Sequence, residues 1–197
     1  MKKRILMAAL LVLPLITGCK KQLFHLIGNI NNSQVYDFNE PDGSFDDSSK
    51  WIYRQDIVGE LNLPENARIT GINITSLVVE IKRKPSNMAN SATVSGWITV
   101  GTGSETPVFQ NMVIPLTSPK TVISNLNNAG IALLKNQINN FVLTTNNFTD
   151  PIKVRIQGTA TPAPLVVELT LKIKGQVLYD TCQEVPEQLF DGNECDF

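Results

Sequence analysis

The stretch 165–174 constrains this chain more than any other. Leu165, Val167, Leu169, Leu171 and Ile173 alternate with Val166, Glu168, Thr170, Lys172 and Lys174. A period of two sends successive side chains to opposite faces, so one face is apolar and the other wet. Ile152, Val154 and Ile156 repeat the pattern against Lys153, Arg155 and Gln157. Strands with one wet face belong to antiparallel sheets, because parallel sheets are covered on both sides and read as unbroken apolar runs.

Further strands follow from the same rule. In 68–82, Ile72 and Ile74 share one parity while Leu77, Val79 and Ile81 share the other, which predicts a bulge near Thr75 and Ser76. In 92–100, Val94, Ile98 and Val100 face one way and Thr93, Ser95, Trp97 and Thr99 the other. Residues 108–116 form another strand candidate. One helix interrupts the series: Ile131, Leu134 and Ile138 recur at helical spacing, Asn127 or Asn128 can cap them, and the helix is expected to end near Asn139 and Asn140. The fold class is therefore mainly β, an antiparallel β-sandwich with one short α-helix near 128–140 covering an open end.

The acidic stretch 35–49 carries Asp37, Glu40, Asp42, Asp46 and Asp47 around a Pro41-Asp42-Gly43 turn. It fails the calcium-loop spacing: with Gly43 in the glycine slot, the first ligand position is Phe38. It reads as a solvated loop, and no metal site is expected.

The amino end has a different character. Lys2, Lys3 and Arg4 precede an uncharged apolar run from Ile5 to Ile16. At about 12 residues this run is too short to span a bilayer permanently. It closes on Ile16, Thr17, Gly18 and Cys19. These residues resemble the lipobox of a bacterial lipoprotein, a likeness confined to the first 19 or 20 residues. It implies that the Cys19 thiol takes a diacylglycerol, that cleavage precedes Cys19, and that the new amine is acylated. It also implies an outer-membrane location, since Lys20 stands where aspartate would signal inner-membrane retention. The expected organisation is a signal peptide at 1–18, a lipidated tether at 19–34, a β-sandwich at 35–180 and a C-terminal tail at 181–197. With Cys19 assigned to lipid, Cys182 and Cys195 remain as a pair in an exported chain and are expected to form a disulfide. A metal site is the poorer reading of two thiols without a nearby histidine.

The chain has 17 basic and 18 acidic residues, and three basic ones leave with the leader, so the mature balance is 14 against 18, or −4. That offers no basic footprint for nucleic acid. The single histidine, His25, falls in the expected tether, so no Ser-His-Asp arrangement is in view. Glu80 and Glu168 are the carboxylates a glycosidase reading would need, but each lies in an alternating strand where a wet face explains it. Neither catalysis nor a cofactor is expected. The sequence points to an envelope-anchored binding module for a glycan, peptide or partner protein, with Trp97, Trp51 and Tyr53 as candidate contacts. The alternatives are a structural subunit of an outer-membrane assembly and, further off, a carboxylate-dependent hydrolase.

Overall fold

The computed structural model describes residues 19–123, 126–143, 149–186, 189 and 191–195. The expected signal peptide lies outside them. In chain order run β1 (Cys19–Glu40), β2 (Ser44–Ile52), α1 (Arg54–Leu61), β3 (Arg68–Arg83), β4 (Ser91–Val100), β5 (Thr106–Pro115), β6 (Lys120–Ile123), α2 (Asn128–Leu143), β7 (Ile152–Thr161) and β8 (Leu165–Pro186). The strands form two four-stranded antiparallel sheets, ordered β1-β8-β3-β6 and β2-β7-β4-β5. Among the described strands, only the β4–β5 connection stays within one sheet. Every other connection crosses between layers, which is the wrapping of an eight-stranded jelly roll.

The alternation read in the sequence is what holds the layers together. Ile152, Val154 and Ile156 of β7 and Leu165, Val167, Leu169, Leu171 and Ile173 of β8 are buried in one core with Tyr36, Phe38 and Phe45. Each such side chain contributes about 1.5–3 kcal/mol when fully withdrawn from water. The predicted slip in β3 is present: its register against β8 shifts between Ile74 and Ser76, so Ile72 and Leu77 both reach the core despite their odd separation.

Several expectations need correction. Residues 19–34 are no tether, because β1 pairs with β8 along its whole length, from Cys19 opposite Pro186 to Glu40 opposite Leu165. A long partner strand supplies the backbone hydrogen bonds, so the polar composition of 29–34 does not prevent a strand. The expected C-terminal tail with its disulfide loop begins within a strand. β8 continues to Pro186, and Cys182 and Cys195 form the expected disulfide with Cα atoms 6.0 Å apart. Leu23 N–H donates to Asn193 O at 3.0 Å, and Gln22 bridges to Glu194. Asn193 and Glu194 therefore lie along β1, and the disulfide ties Cys195 to β8.

The acidic stretch 35–49 is strand on both sides of a tight turn, in which Gly43 N–H donates to Glu40 O at 3.2 Å and Gly43 adopts φ 81°. Among the described residues two helices are present where one was expected. The additional one, α1, buries Ile57 and Leu61 at a spacing of four and is capped by Asp56 Oδ2, which accepts from Tyr53 N–H at 2.8 Å. Helix α2 runs beyond 140 to Leu143, because Phe141 extends the buried stripe of Leu134 and Ile138. Its cap is Asn127, whose Oδ1 accepts from Ala129 N–H at 3.0 Å. No helix among the described residues is long and apolar enough to cross a membrane.

Candidate binding face

The outer face of the β2-β7-β4-β5 sheet collects the residues best suited to hold a ligand. In β4 the alternation turns Val94, Gly96 and Ile98 inward and Thr93, Ser95 and Trp97 outward. Gly96 is required by close approach: the Phe109 ring lies where its Cβ would stand, directly behind the strand that carries Trp97. On neighbouring β7, Arg155 pairs with Trp97, Gln157 with Ser95 and Thr159 with Thr93. The β4–β5 register shifts between Val94 and Gly96, and Asn111 adopts φ 51° with its N–H donating to Ser95 Oγ at 2.9 Å. This bulge brings Gln110 and Asn111 to the edge of an open depression of about 340 Å³, lined also by Thr93, Ser95, Trp97 and Gln157.

Arg155 sits beside this depression and is held on several sides. Its Nε donates to Asp46 Oδ1 at 2.7 Å, its Nη2 to Asp46 Oδ2 at 2.5 Å, and its Nη1 to Glu105 Oε2 at 2.9 Å. The guanidinium carbon lies 5.4 Å from the Trp97 ring centre, so cation–π attraction adds to the two-pronged carboxylate bond. The hydrogen bond from Arg155 holds the Asp46 carboxyl below its ordinary range, and the same bond raises the guanidinium further. With two carboxylates on one guanidinium, the site has no surplus positive charge.

Trp51 pairs with Lys153 across β2 and β7, and Lys153 Nζ lies 5.6 Å from its ring centre. Lys153 and Arg155 share a parity, so Trp51 and Trp97 stand on the same side of one sheet. Two interstrand spacings and two residues of rise place their Cα atoms about 12 Å apart. Of the three aromatic candidates, the fold thus unites Trp51 and Trp97. Tyr53 is exposed at the start of α1 and does not line the depression.

The other candidate residues lie elsewhere. His25 is an exposed residue of β1, its Nδ1 2.5 Å from Asp180 Oδ1. Glu80 and Glu168 are on the opposite sheet, ion-paired with Lys172 and Lys82 respectively. Lys172 holds the Glu80 carboxyl below its ordinary value, the opposite of the shift a general acid needs. Among the described residues no three His, Cys, Asp or Glu side chains converge to hold a metal. Sequence reading missed Arg155, Asp46, Glu105, Gln110 and Asn111 as partners of Trp97. Parity put Arg155 on the wet side of β7, but nothing local said which strand would lie beside it.

No protein-family model and no curated protein matches the chain. Among solved structures it is similar to turnip yellow mosaic virus at 14% identity, covering 84% of this chain and 98% of that one, with a TM-score of 0.37. Desmodium yellow mottle tymovirus is similar at 14% identity, covering 87% and 89%, with a TM-score of 0.30. The Gx strain of infectious bursal disease virus is similar at 7% identity, covering 82% and 37%, with a TM-score of 0.31. Likenesses this low carry no argument about function; the jelly-roll assignment rests on the strand pairing itself.

Proposed function

We propose that this protein is a non-catalytic, lipid-anchored lipoprotein of the bacterial envelope, seated on the outer membrane through Cys19. It acts as a binding module whose ligand lies across the outer face of the β2-β7-β4-β5 sheet. The observation that carries this reading is the Trp97–Arg155–Asp46 arrangement beside a depression of amides and hydroxyls. A glycan suits it best: the Trp97 indole accepts the apolar face of a sugar ring, while Gln110, Asn111, Gln157 and Thr159 exchange hydrogen bonds with hydroxyls. Balanced charge gives a phosphate backbone no purchase, so nucleic acid is not a partner. A peptide or an envelope protein would meet the same face and is the competing occupant. Because β1 begins at Cys19, a lipid on that residue leaves no slack and holds the sandwich close to the bilayer.

The test has two arms. Cys19→Ser should release the protein from membranes or trap it unprocessed, and an unmodified Cys19 in the mass spectrum of the wild type refutes the anchor. Trp97→Ala should weaken binding of neutral envelope oligosaccharides by about tenfold or more while leaving the melting temperature nearly unchanged. A large drop in melting temperature with binding intact would make Trp97 a packing residue and remove the proposed face.

A further inference from the structure

The inward parity of β1 carries polar side chains at three buried places, Gln22, Asn32 and Gln34. Ile30, Tyr36 and Phe38 face the core, and the same parity carries Asn32 and Gln34, which are 5% and 9% exposed. Burying an amide costs about 1–3 kcal/mol unless its polar atoms are bonded, so apolar residues belong at such positions. Gln22, earlier in β1, buries its Oε1 without a hydrogen-bond partner among the described residues, whereas two other buried amides are tied to the backbone. Asn87 Oδ1 accepts from Val166 N–H and its Nδ2 donates to Ala89 O, while Gln137 Nε2 donates to Asp150 O. Asn32 and Gln34 differ: among the described residues they bond to each other, Gln34 Nε2 to Asn32 Oδ1 at 2.8 Å.

Both amides line an open cleft of about 540 Å³ between β1 and α1. Trp51 forms one wall, and Gln55, Asp56 and Glu60 of α1 form the other. The carboxylates are oriented by backbone donors, Asp56 by Tyr53 N–H at 2.8 Å and Glu60 by Asn31 N–H at 3.3 Å. No lysine or arginine is among the lining residues. Core-parity amides bonded to each other, an indole wall and fixed acceptors therefore converge on one cleft.

We propose that this cleft binds one neutral sugar residue. The amides and carboxylates exchange hydrogen bonds with adjacent hydroxyls, the Trp51 ring takes an apolar sugar face, and the lack of lining cations disfavours phosphorylated or otherwise anionic ligands. The inference does not depend on the Trp97 face and stands or falls separately.

Full-length protein in a sugar-free detergent would be titrated with glucose, galactose, mannose and N-acetylglucosamine, following the side-chain amide signals of Asn32 and Gln34 and the Trp51 indole by NMR. At least one sugar should move all three. The double variant Asn32→Leu, Gln34→Leu should raise its Kd by about tenfold or more and leave the melting temperature unchanged or higher. If that variant does not fold, Gln55→Ala, which alters only an exposed helix position, should still raise the Kd by about threefold. Trp97→Ala should leave the cleft signals responding as before. The proposal is overturned if no sugar moves these signals, if the Leu variant melts several degrees lower, if it binds as tightly as wild type, or if Trp97→Ala silences the cleft.

Discussion

The two outer faces of the sandwich are built from the same alternating strands yet carry opposite chemistry. Over β1-β8-β3-β6, charges pair one to one in water: Glu80 with Lys172 at 2.6 Å, Glu168 with Lys82 at 3.8 Å, Asp37 with Lys84 at 2.5 Å. Over β2-β7-β4-β5, one guanidinium is held by two carboxylates and stacked on an indole, beside neutral amides and hydroxyls. Exposed pairs of the first kind contribute about 0–1 kcal/mol and leave long side chains mobile. A guanidinium fixed on several sides has already lost its freedom, so a ligand placed on it loses less entropy on binding. The difference lies in preorganisation more than in charge.

The comparison first requires that face chemistry be separable from global stability. Replacing Cys182 and Cys195 by Ser should cost about 3 kcal/mol of unfolding free energy in the chain-entropy account and leave ligand binding by the folded protein unchanged. Denaturant melts and binding isotherms on the same samples check this. Lost binding in the folded variant would tie the neutral face to the Cys182–Cys195 bridge.

A narrower break comes from behind the neutral face. Gly96→Ala places a methyl against the Phe109 ring and should cost about 1–3 kcal/mol through overpacking. It should also disturb Trp97 next along the strand, so stability and oligosaccharide affinity should fall together. Thermal melts paired with Trp fluorescence titration measure both, and an unchanged affinity would show that the face tolerates a shifted strand.

The smallest effect separates the faces by pH. Asp46 and Glu80 both titrate below their ordinary values, through hydrogen bonds from Arg155 and Lys172 respectively. A carboxyl depressed in the folded state stabilises it above the unfolded pKa, and that contribution is lost as pH falls through the folded value. The window therefore opens near the ordinary carboxylate value of about 4 and extends downward. Carboxyl NMR should show Arg155→Ala returning Asp46 toward the ordinary carboxylate range, with an altered acid response of Trp97 fluorescence. Lys172→Ala should do the same for Glu80 without touching Trp97. A Trp97 signal that follows Glu80 would erase the distinction between the faces.

Sequence alone determined which residues of β7 and β8 point inward, the slip in β3 near Thr75, the outward parity of Trp97 and the availability of Cys182 and Cys195 for each other. These are legible because a strand's facing is a property of the strand itself, and the period of two is written into its residues. Only the tertiary structure decided that 19–34 would be strand, since its hydrogen bonds come from β8 at the far end of the chain. Only it revealed α1, whose eight residues bury just Ile57 and Leu61 and leave little periodicity to read. The same holds for both candidate sites. Trp51 and Trp97 share a face because β7 lies between β2 and β4, and Asn32 and Gln34 meet a cleft because α1 packs beside β1. Neighbourhood across a sheet is fixed by the order in which strands join, and no local pattern of residues encodes that order.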